Sequence, residues 1–140
     1  MNKRILVIEP SHTIRASLDI ILRNAGHQVA TFEDATAAFA FLSTGPMHKE
    51  PPDIAFVALP SSAEKNAQES YAALTTLMRQ YPPLRLIAFL PVHANRKEQQ
   101  RLQESEVMYL TRPFTVQDIL ACTTREHGQP PKGNTHHEHE

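Results

Sequence analysis

The sequence has little of what several protein classes require. Its single cysteine, Cys122, excludes an internal disulfide and cannot by itself form a cysteine metal cluster. Cys122 falls in a predicted helix, where we expect a buried packing thiol. Only four glycines are present, and they form no glycine-rich phosphate loop. No apolar run approaches the roughly 18 residues that suggest a membrane span.

Charge of neither sign dominates. The chain has 14 basic and 15 acidic residues and a formal charge of −1, so no global field favours nucleic acid or an anionic membrane. The apolar stretch at residues 5–8 is too short for a signal-peptide core and has no small-residue cleavage site after it. We therefore expect a cytoplasmic protein that binds neither nucleic acid nor membrane.

Short apolar runs alternate with segments of helical periodicity. The runs predict strands at residues 5–8, 28–32, 54–59, 86–90 and 107–110. Between them, apolar stripes predict helices, the first formed by Ile14, Leu18, Ile21 and Leu22 and the third by Tyr71, Leu74, Leu77 and Met78. Asp34 and Thr115 are predicted N-caps, and Gly26 a helix end. Five strand–helix repeats indicate an α/β fold, a parallel sheet covered by helices on both faces.

Three motifs resemble receiver domains of response regulators. Residues 5–11 (Ile-Leu-Val-Ile-Glu-Pro-Ser) resemble the family's opening, where two acidic residues follow the first strand. Pro52-Asp53-Ile54 resembles the entry to the third strand, and residues 109–114 (Tyr-Leu-Thr-Arg-Pro-Phe) resemble the closing motif, which contains Lys-Pro-Phe. The resemblance covers about residues 3–126. It implies a flavodoxin-like (βα)5 doubly wound sheet with strand order 2-1-3-4-5.

Active receivers of this family accept a phosphoryl group from a histidine kinase. The acceptor is an aspartate that ends the third strand, and acidic residues after the first strand hold magnesium. A Thr or Ser after the fourth strand binds a phosphoryl oxygen, and a lysine after the fifth strand neutralises charge. The reaction depends on this positioning and charge neutralisation.

Two of these positions lack the required carboxylates. The acidic pair is replaced by Glu9-Pro10, in which Pro10 has no side-chain oxygen to offer magnesium. The acceptor position is Ala58 when counted from Pro52, or Phe56 when counted back from Pro60. Neither residue is a carboxylate. Asp53 is no substitute, because it begins the strand about 16 Å from Ala58.

The remaining positions also differ from the family. Leu90 stands where a Thr or Ser should bind a phosphoryl oxygen, and leucine cannot donate a hydrogen bond. Arg112 replaces the lysine and keeps its positive charge. Tyr109 occupies the aromatic position that changes rotamer in switching relatives. We therefore expect the magnesium site to be lost, no cofactor to be used and no catalytic residue to be present.

The resemblance and its gaps predict a bacterial signalling module that is not an enzyme. We expect it to dock another signalling protein through helix 4 (predicted at residues 96–104), strand 5 (residues 107–110) and helix 5 (which begins after Thr115). A homodimer is a further arrangement that the resemblance allows. Only a polar tail follows residue 126, so either the output is intermolecular or the chain was cut from a longer protein. The rival hypothesis is a phosphorelay receiver with a relocated phosphoacceptor. A ligand-binding flavodoxin-like domain is a third reading.

Other polar residues have further possible roles. Ser61, Ser62 and His93 are candidate relocated acceptors, although Ser61 with Glu64 also fits a capping box. His12 is predicted to be solvated. Residues 1–127 are predicted to form the receiver-like domain, and residues 128–140 a disordered polar tail. The tail contains a candidate weak metal site, formed by His136, His137 and His139.

Three geometric expectations follow. The Arg112–Pro113 peptide should be cis, as it is in the receivers that the sequence resembles. Glu9 and Arg112 should form an ion pair, since each lacks its usual partner. Helix 4 should be the least ordered regular element, because Leu102 is its only apolar anchor.

Overall fold

The computed structural model describes residues 2–45, 50–60, 67–81, 83–91, 96–104 and 107–124. Within these residues, five strands alternate with five helices. The strands are β1 (Arg4–Ile8), β2 (Gln28–Phe32), β3 (Ile54–Ala58), β4 (Arg85–Leu90) and β5 (Met108–Thr111). The helices are α1 (His12–Asn24), α2 (Ala35–Thr44), α3 (Ala67–Gln80), α4 (Arg96–Glu104) and α5 (Val116–Thr124).

The five strands form one parallel sheet. Their order is β2-β1-β3-β4-β5, which confirms the predicted flavodoxin-like doubly wound topology. Because the chain leaves β1 toward one edge for β2 and then crosses to β3 on the other side, its helices cover both faces. The point where the direction reverses lies between β1 and β3, at the carboxyl ends of the strands.

Each face of the sheet has its own apolar core. One core joins the sheet to α1 and α5 through Leu18, Leu22, Ile119 and Cys122. The other joins it to α2, α3 and α4 through buried side chains that include Leu42, Leu77 and Leu102. Every residue of β3 and β4 is buried, as expected for central parallel strands covered on both faces. Cys122 is fully buried, as predicted.

The predicted helix ends are confirmed by their hydrogen bonds. The Asp34 carboxylate accepts from Ala37 N at 2.9 Å at the start of α2. Before α5, Asp118 N donates to the Thr115 hydroxyl at 3.1 Å and Thr115 N donates to the Asp118 carboxylate at 2.9 Å. Gly26 has a φ of 96°, a left-handed conformation that favours glycine after α1.

Some details differ from the predictions. Met78 is 38% exposed and does not belong to the buried face of α3, which is centred on Ala73, Leu74 and Leu77. Because the predicted stripe included Met78, the predicted buried face of α3 extended one residue too far, onto its solvent-exposed side. The fifth strand is Met108–Thr111, one residue later than predicted.

None of the described helices is long and apolar enough to cross a membrane.

Several predictions concern residues that the structure does not describe. These are the roles of Ser61, Ser62, Glu64 and His93, and the domain boundary at residue 127. The proposed disorder and metal binding of residues 128–140 also lie outside the described residues.

Candidate functional site

The five site residues come together at the carboxyl edge of the sheet. Ala58 and Leu90 end β3 and β4, while Glu9 and Arg112 directly follow β1 and β5. The parallel register aligns these ends, because Ile8 pairs with Val57 and Leu90 pairs with Thr111. We call Glu9, Pro10, Ala58, Leu90 and Arg112 the carboxyl-edge site.

Glu9 is a buried carboxylate with both oxygens engaged. Its residue exposure is 2%. Oε1 accepts a hydrogen bond from Arg112 Nη2 at 2.7 Å, and Oε2 accepts from Ser11 N at 2.9 Å. The predicted ion pair is confirmed. A carboxylate in this environment must be compensated, since an unpaired buried charge is strongly unfavourable.

Arg112 is held in position from both sides. Its peptide bond to Pro113 is cis, as predicted. Its backbone N donates to Leu90 O at 3.1 Å, continuing the sheet beyond β5. The guanidinium carbon lies 5.8 Å from the centroid of the Phe89 ring and 5.6 Å from that of Phe114, within the range of cation–π attraction.

The two counts for the acceptor position have different structural outcomes. Phe56 lies inside the core, fully buried, with its ring 5.4 Å from that of Phe89. Ala58 lies at the strand end beside Glu9 and is 8% exposed. The residue at the edge of the sheet is therefore Ala58. Asp53 lies at the opposite edge, where its carboxylate accepts from Arg4 N at 2.9 Å.

Leu90 and Tyr109 have distinct surroundings. Leu90 is fully buried and belongs to the apolar core beneath α2, α3 and α4. Tyr109 is half-buried on β5, and its hydroxyl accepts a hydrogen bond from Gln103 Nε2 of α4 at 3.1 Å. Tyr109 therefore connects β5 to α4, while Leu90 contributes packing.

The residues of the carboxyl-edge site do not fit a magnesium ion. Magnesium requires several hard oxygen ligands in near-octahedral geometry. Glu9 supplies the site's one carboxylate, and a metal there would compete with the positive charge of Arg112 and with Ser11 N for it. In the described parts of the chain, no group of three His, Cys, Asp or Glu side chains is arranged to hold a metal ion.

Beside Ala58 lies a cavity of about 420 Å³ that the sequence did not indicate. Ile8, Pro10 and Ala58 form its sheet side, and α2 and α3 form its walls. Three acidic residues, Glu33, Asp34 and Glu69, also line it, and the Asp34 carboxylate caps α2.

Arg15 is a site residue whose role the sequence did not reveal. Its Nη1 donates to Glu9 O at 2.8 Å and to Pro10 O at 3.3 Å, and so fixes the chain after β1. Ser11 as the N-cap of α1 would place Arg15 in the first turn, which is the signal that could have located it. His12 is exposed, as predicted, with Nδ1 3.4 Å from Arg15 Nη2.

The fold is similar to that of several solved response regulators. A CheY-like response regulator receiver domain protein from Methanospirillum hungatei JF-1 matches with a TM-score of 0.71 at 17% identity, over 88% of this chain and 91% of that chain. A response regulator from Thermotoga maritima has a TM-score of 0.71 at 16% identity, over 88% and 95% of the two chains. The chemotaxis protein CheY4 of Vibrio cholerae has a TM-score of 0.67 at 17% identity, over 88% and 96%.

The chain has the receiver-domain fold. At such low identities the similarity establishes the fold alone, and a fold does not determine chemistry. No protein-family model and no curated protein matches the sequence. The function of this receiver fold therefore depends on the chemistry of the carboxyl-edge site.

Proposed function

We propose that this chain is a response-regulator signalling module that docks a protein partner and does not accept a phosphoryl group. The observation that carries the proposal is the Glu9–Arg112 ion pair at 2.7 Å, next to Ala58 at the acceptor position. An aspartyl phosphate needs an acceptor carboxylate, a metal and neutralising charges around it. Here the remaining acid and the remaining cation neutralise each other.

The loss extends to the read-out of the phosphoryl group. In an active receiver, a hydroxyl after the fourth strand binds the phosphoryl oxygen in one of two states. Leu90 has no hydroxyl, and its side chain packs in the core. A ligand shifts a two-state equilibrium only through contacts that differ between the states. The phosphate-driven switch therefore lacks its acceptor and its relay.

The docking surface that we propose consists of α4, β5 and α5. The described outer side chains of α4 are polar and of mixed charge, and include Arg96, Lys97, Gln100, Arg101 and Glu104. Such a face suits a reversible contact with a charged partner protein. Its mixed charges also favour a partner with the complementary charge pattern over other proteins. Another signalling protein is the proposed partner, with a second copy of this chain as the other arrangement. Both contacts would occur in the bacterial cytoplasm.

Site-specific photocrosslinking in the native cell tests the docking proposal. A photoreactive amino acid would replace exposed Gln100 on α4 or, as the matched control, exposed Thr13 on α1. We expect a discrete crosslinked protein from position 100 and none from position 13. Crosslinks from position 13 alone would contradict the proposed surface.

A further inference from the structure

A second cavity lies at the opposite edge of the sheet, where the strands begin. Its volume is about 460 Å³, within the usual range of small-molecule sites. The starts of β1 and β4, the residues before β3 and the end of α3 line it. We call it the amino-edge cavity, and the residues that matter most are Lys3, Arg4, Asp53, Gln80 and Tyr81.

The floor of the amino-edge cavity is fixed by backbone contacts. Arg4 N donates to the Asp53 carboxylate at 2.9 Å, and Asp53 N donates to Arg4 O at 2.7 Å. Arg85 N donates to Asp53 O at 3.0 Å, so the beginnings of three strands are connected. Three prolines with restricted φ angles form part of the wall, namely Pro51, Pro52 and Pro83. Such a site needs little ordering to bind a ligand.

The charge in the lining is predominantly positive. Lys3, Arg4 and Arg85 are cations, and Asp53 is the one carboxylate among the described lining residues. Asp53 Oδ1 lies 3.8 Å from Arg4 Nη2. The buried Arg85 guanidinium donates to Cys122 O of α5. No described residue lies within ion-pair distance of the Lys3 ammonium, although Lys3 is half-buried. Lys3 therefore leaves uncompensated positive charge at the cavity.

The opposite wall offers an aromatic ring and further polar groups. Tyr81 is half-buried, and Gln80 precedes it at the end of α3. Within the described residues, neither the Tyr81 hydroxyl nor the Gln80 amide has a hydrogen-bond partner. A pocket with an apolar ring face and a few convergent polar groups has the composition of a small-molecule site.

We propose that the amino-edge cavity binds a small organic anion. Its oxyanion group, a carboxylate or a phosphate, contacts Lys3 and Arg4, and its apolar part lies against Tyr81. The proposal does not depend on the carboxyl-edge site, which is at the other end of the strands. It gives the chain a route for ligand input that requires neither an acceptor aspartate nor magnesium.

Amide NMR titrations of the whole chain test this site. The probes are phenyl phosphate, benzoate and the neutral benzyl alcohol. We expect saturable shifts at the amides of Lys3, Arg4 and Tyr81 with at least one anion and none with benzyl alcohol. Saturation by phenyl phosphate alone identifies a phosphate site, and saturation by benzoate alone a carboxylate site. The Lys3→Gln variant should bind at least tenfold more weakly, whereas Lys97→Gln on α4 should bind as the wild type does.

Three results would overturn the proposal. The first is that neither anion saturates the amides around the cavity, and the second is that benzyl alcohol binds as tightly as the anions. The third is that Lys3→Gln and Lys97→Gln both have the same affinity as the wild type. Thermal unfolding of both variants checks that each remains folded.

Discussion

Glu9 and Arg112 are 103 residues apart in the chain, and their side chains meet at 2.7 Å across the carboxyl edge of the sheet. The Glu9 side chain is 3% exposed and that of Arg112 is 20% exposed. This ion pair connects the end of β1 to the start of the loop before α5. It also places the one carboxylate of the site against its one cation.

Removing one partner of this pair should destabilise the fold strongly. Arg112→Met leaves the Glu9 carboxylate buried without its cation, and breaking a buried pair in this way costs about 3–5 kcal/mol. The measurement is the free energy of unfolding in urea. The control is Asp19→Asn, which breaks the exposed Asp19–Arg23 pair of α1 and should cost less than about 1 kcal/mol. Equal losses in the two variants would contradict the role assigned to the buried pair.

Restoring an aspartate at the acceptor position should not restore a magnesium site. Ala58→Asp adds a carboxylate beside Glu9, but Pro10 still supplies no side-chain oxygen and Arg112 still pairs with Glu9 Oε1. Millimolar magnesium should therefore leave the melting temperature of Ala58→Asp unchanged, and the matched control Ala58→Asn should behave in the same way. A bound metal would stabilise the fold by about 2.7 kcal/mol at a hundred times its Kd. A rise of several degrees specific to Ala58→Asp would show that the site can still hold the ion.

His27 should make stability depend on pH. Burial lowers the pKa of His27 below its ordinary value of 6.5, and the positive charge of Lys3 adds to this. The neutral ring accepts a hydrogen bond from Lys3 N at Nδ1, at 3.1 Å. Its stabilising contribution is complete above pH 6.5 and is lost as the pH falls through the lowered folded-state pKa.

The measurement is the free energy of unfolding at pH 7.5 and at about pH 5. His27→Gln should lose less stability over this interval than the wild type, since its amide does not titrate. Identical pH dependence in the two proteins would remove His27 as the cause.

Helix α4 should exchange its amide hydrogens faster than α1. Leu102 is the buried side chain among those described in α4, whereas α1 buries Leu18 and Leu22. Helices in proteins derive most of their stability from a packed apolar face, so α4 should open more often. Hydrogen exchange followed by mass spectrometry measures both helices in one sample. Equal protection of α4 and α1 would refute this expectation.

The fold could be predicted because its signals are local. The apolar runs of β3 and β4, the Asp34 cap and the Thr115–Asp118 capping box each lie within a few residues. Their order in the chain, together with the receiver-like motifs, was sufficient for the topology. Met78 was assigned wrongly because neighbouring helix positions differ by about 100° in direction, so a stripe read one residue too wide includes an exposed side chain.

The site could be predicted only in part. The resemblance assigned Glu9 to an acidic position and Arg112 to the lysine position of one pocket, and the absence of other partners suggested that they pair. The support from Arg15, the Phe89 and Phe114 rings around Arg112 and the amino-edge cavity were not foreseen. These features depend on how distant segments come together, and no local pattern encodes them.

The central claim is that this receiver fold does not accept a phosphoryl group, and intact-mass spectrometry tests it most directly. The wild-type chain is incubated with acetyl phosphate and magnesium and measured at neutral pH, where acyl and histidyl phosphates survive. We predict that its mass is unchanged. We also predict that the chain with the photoreactive residue at position 100 forms its crosslink equally with and without the phosphodonor. A chain that gains one phosphoryl mass, and whose partner affinity then changes by tenfold or about 1.4 kcal/mol, would contradict the account and indicate a relocated phosphoacceptor.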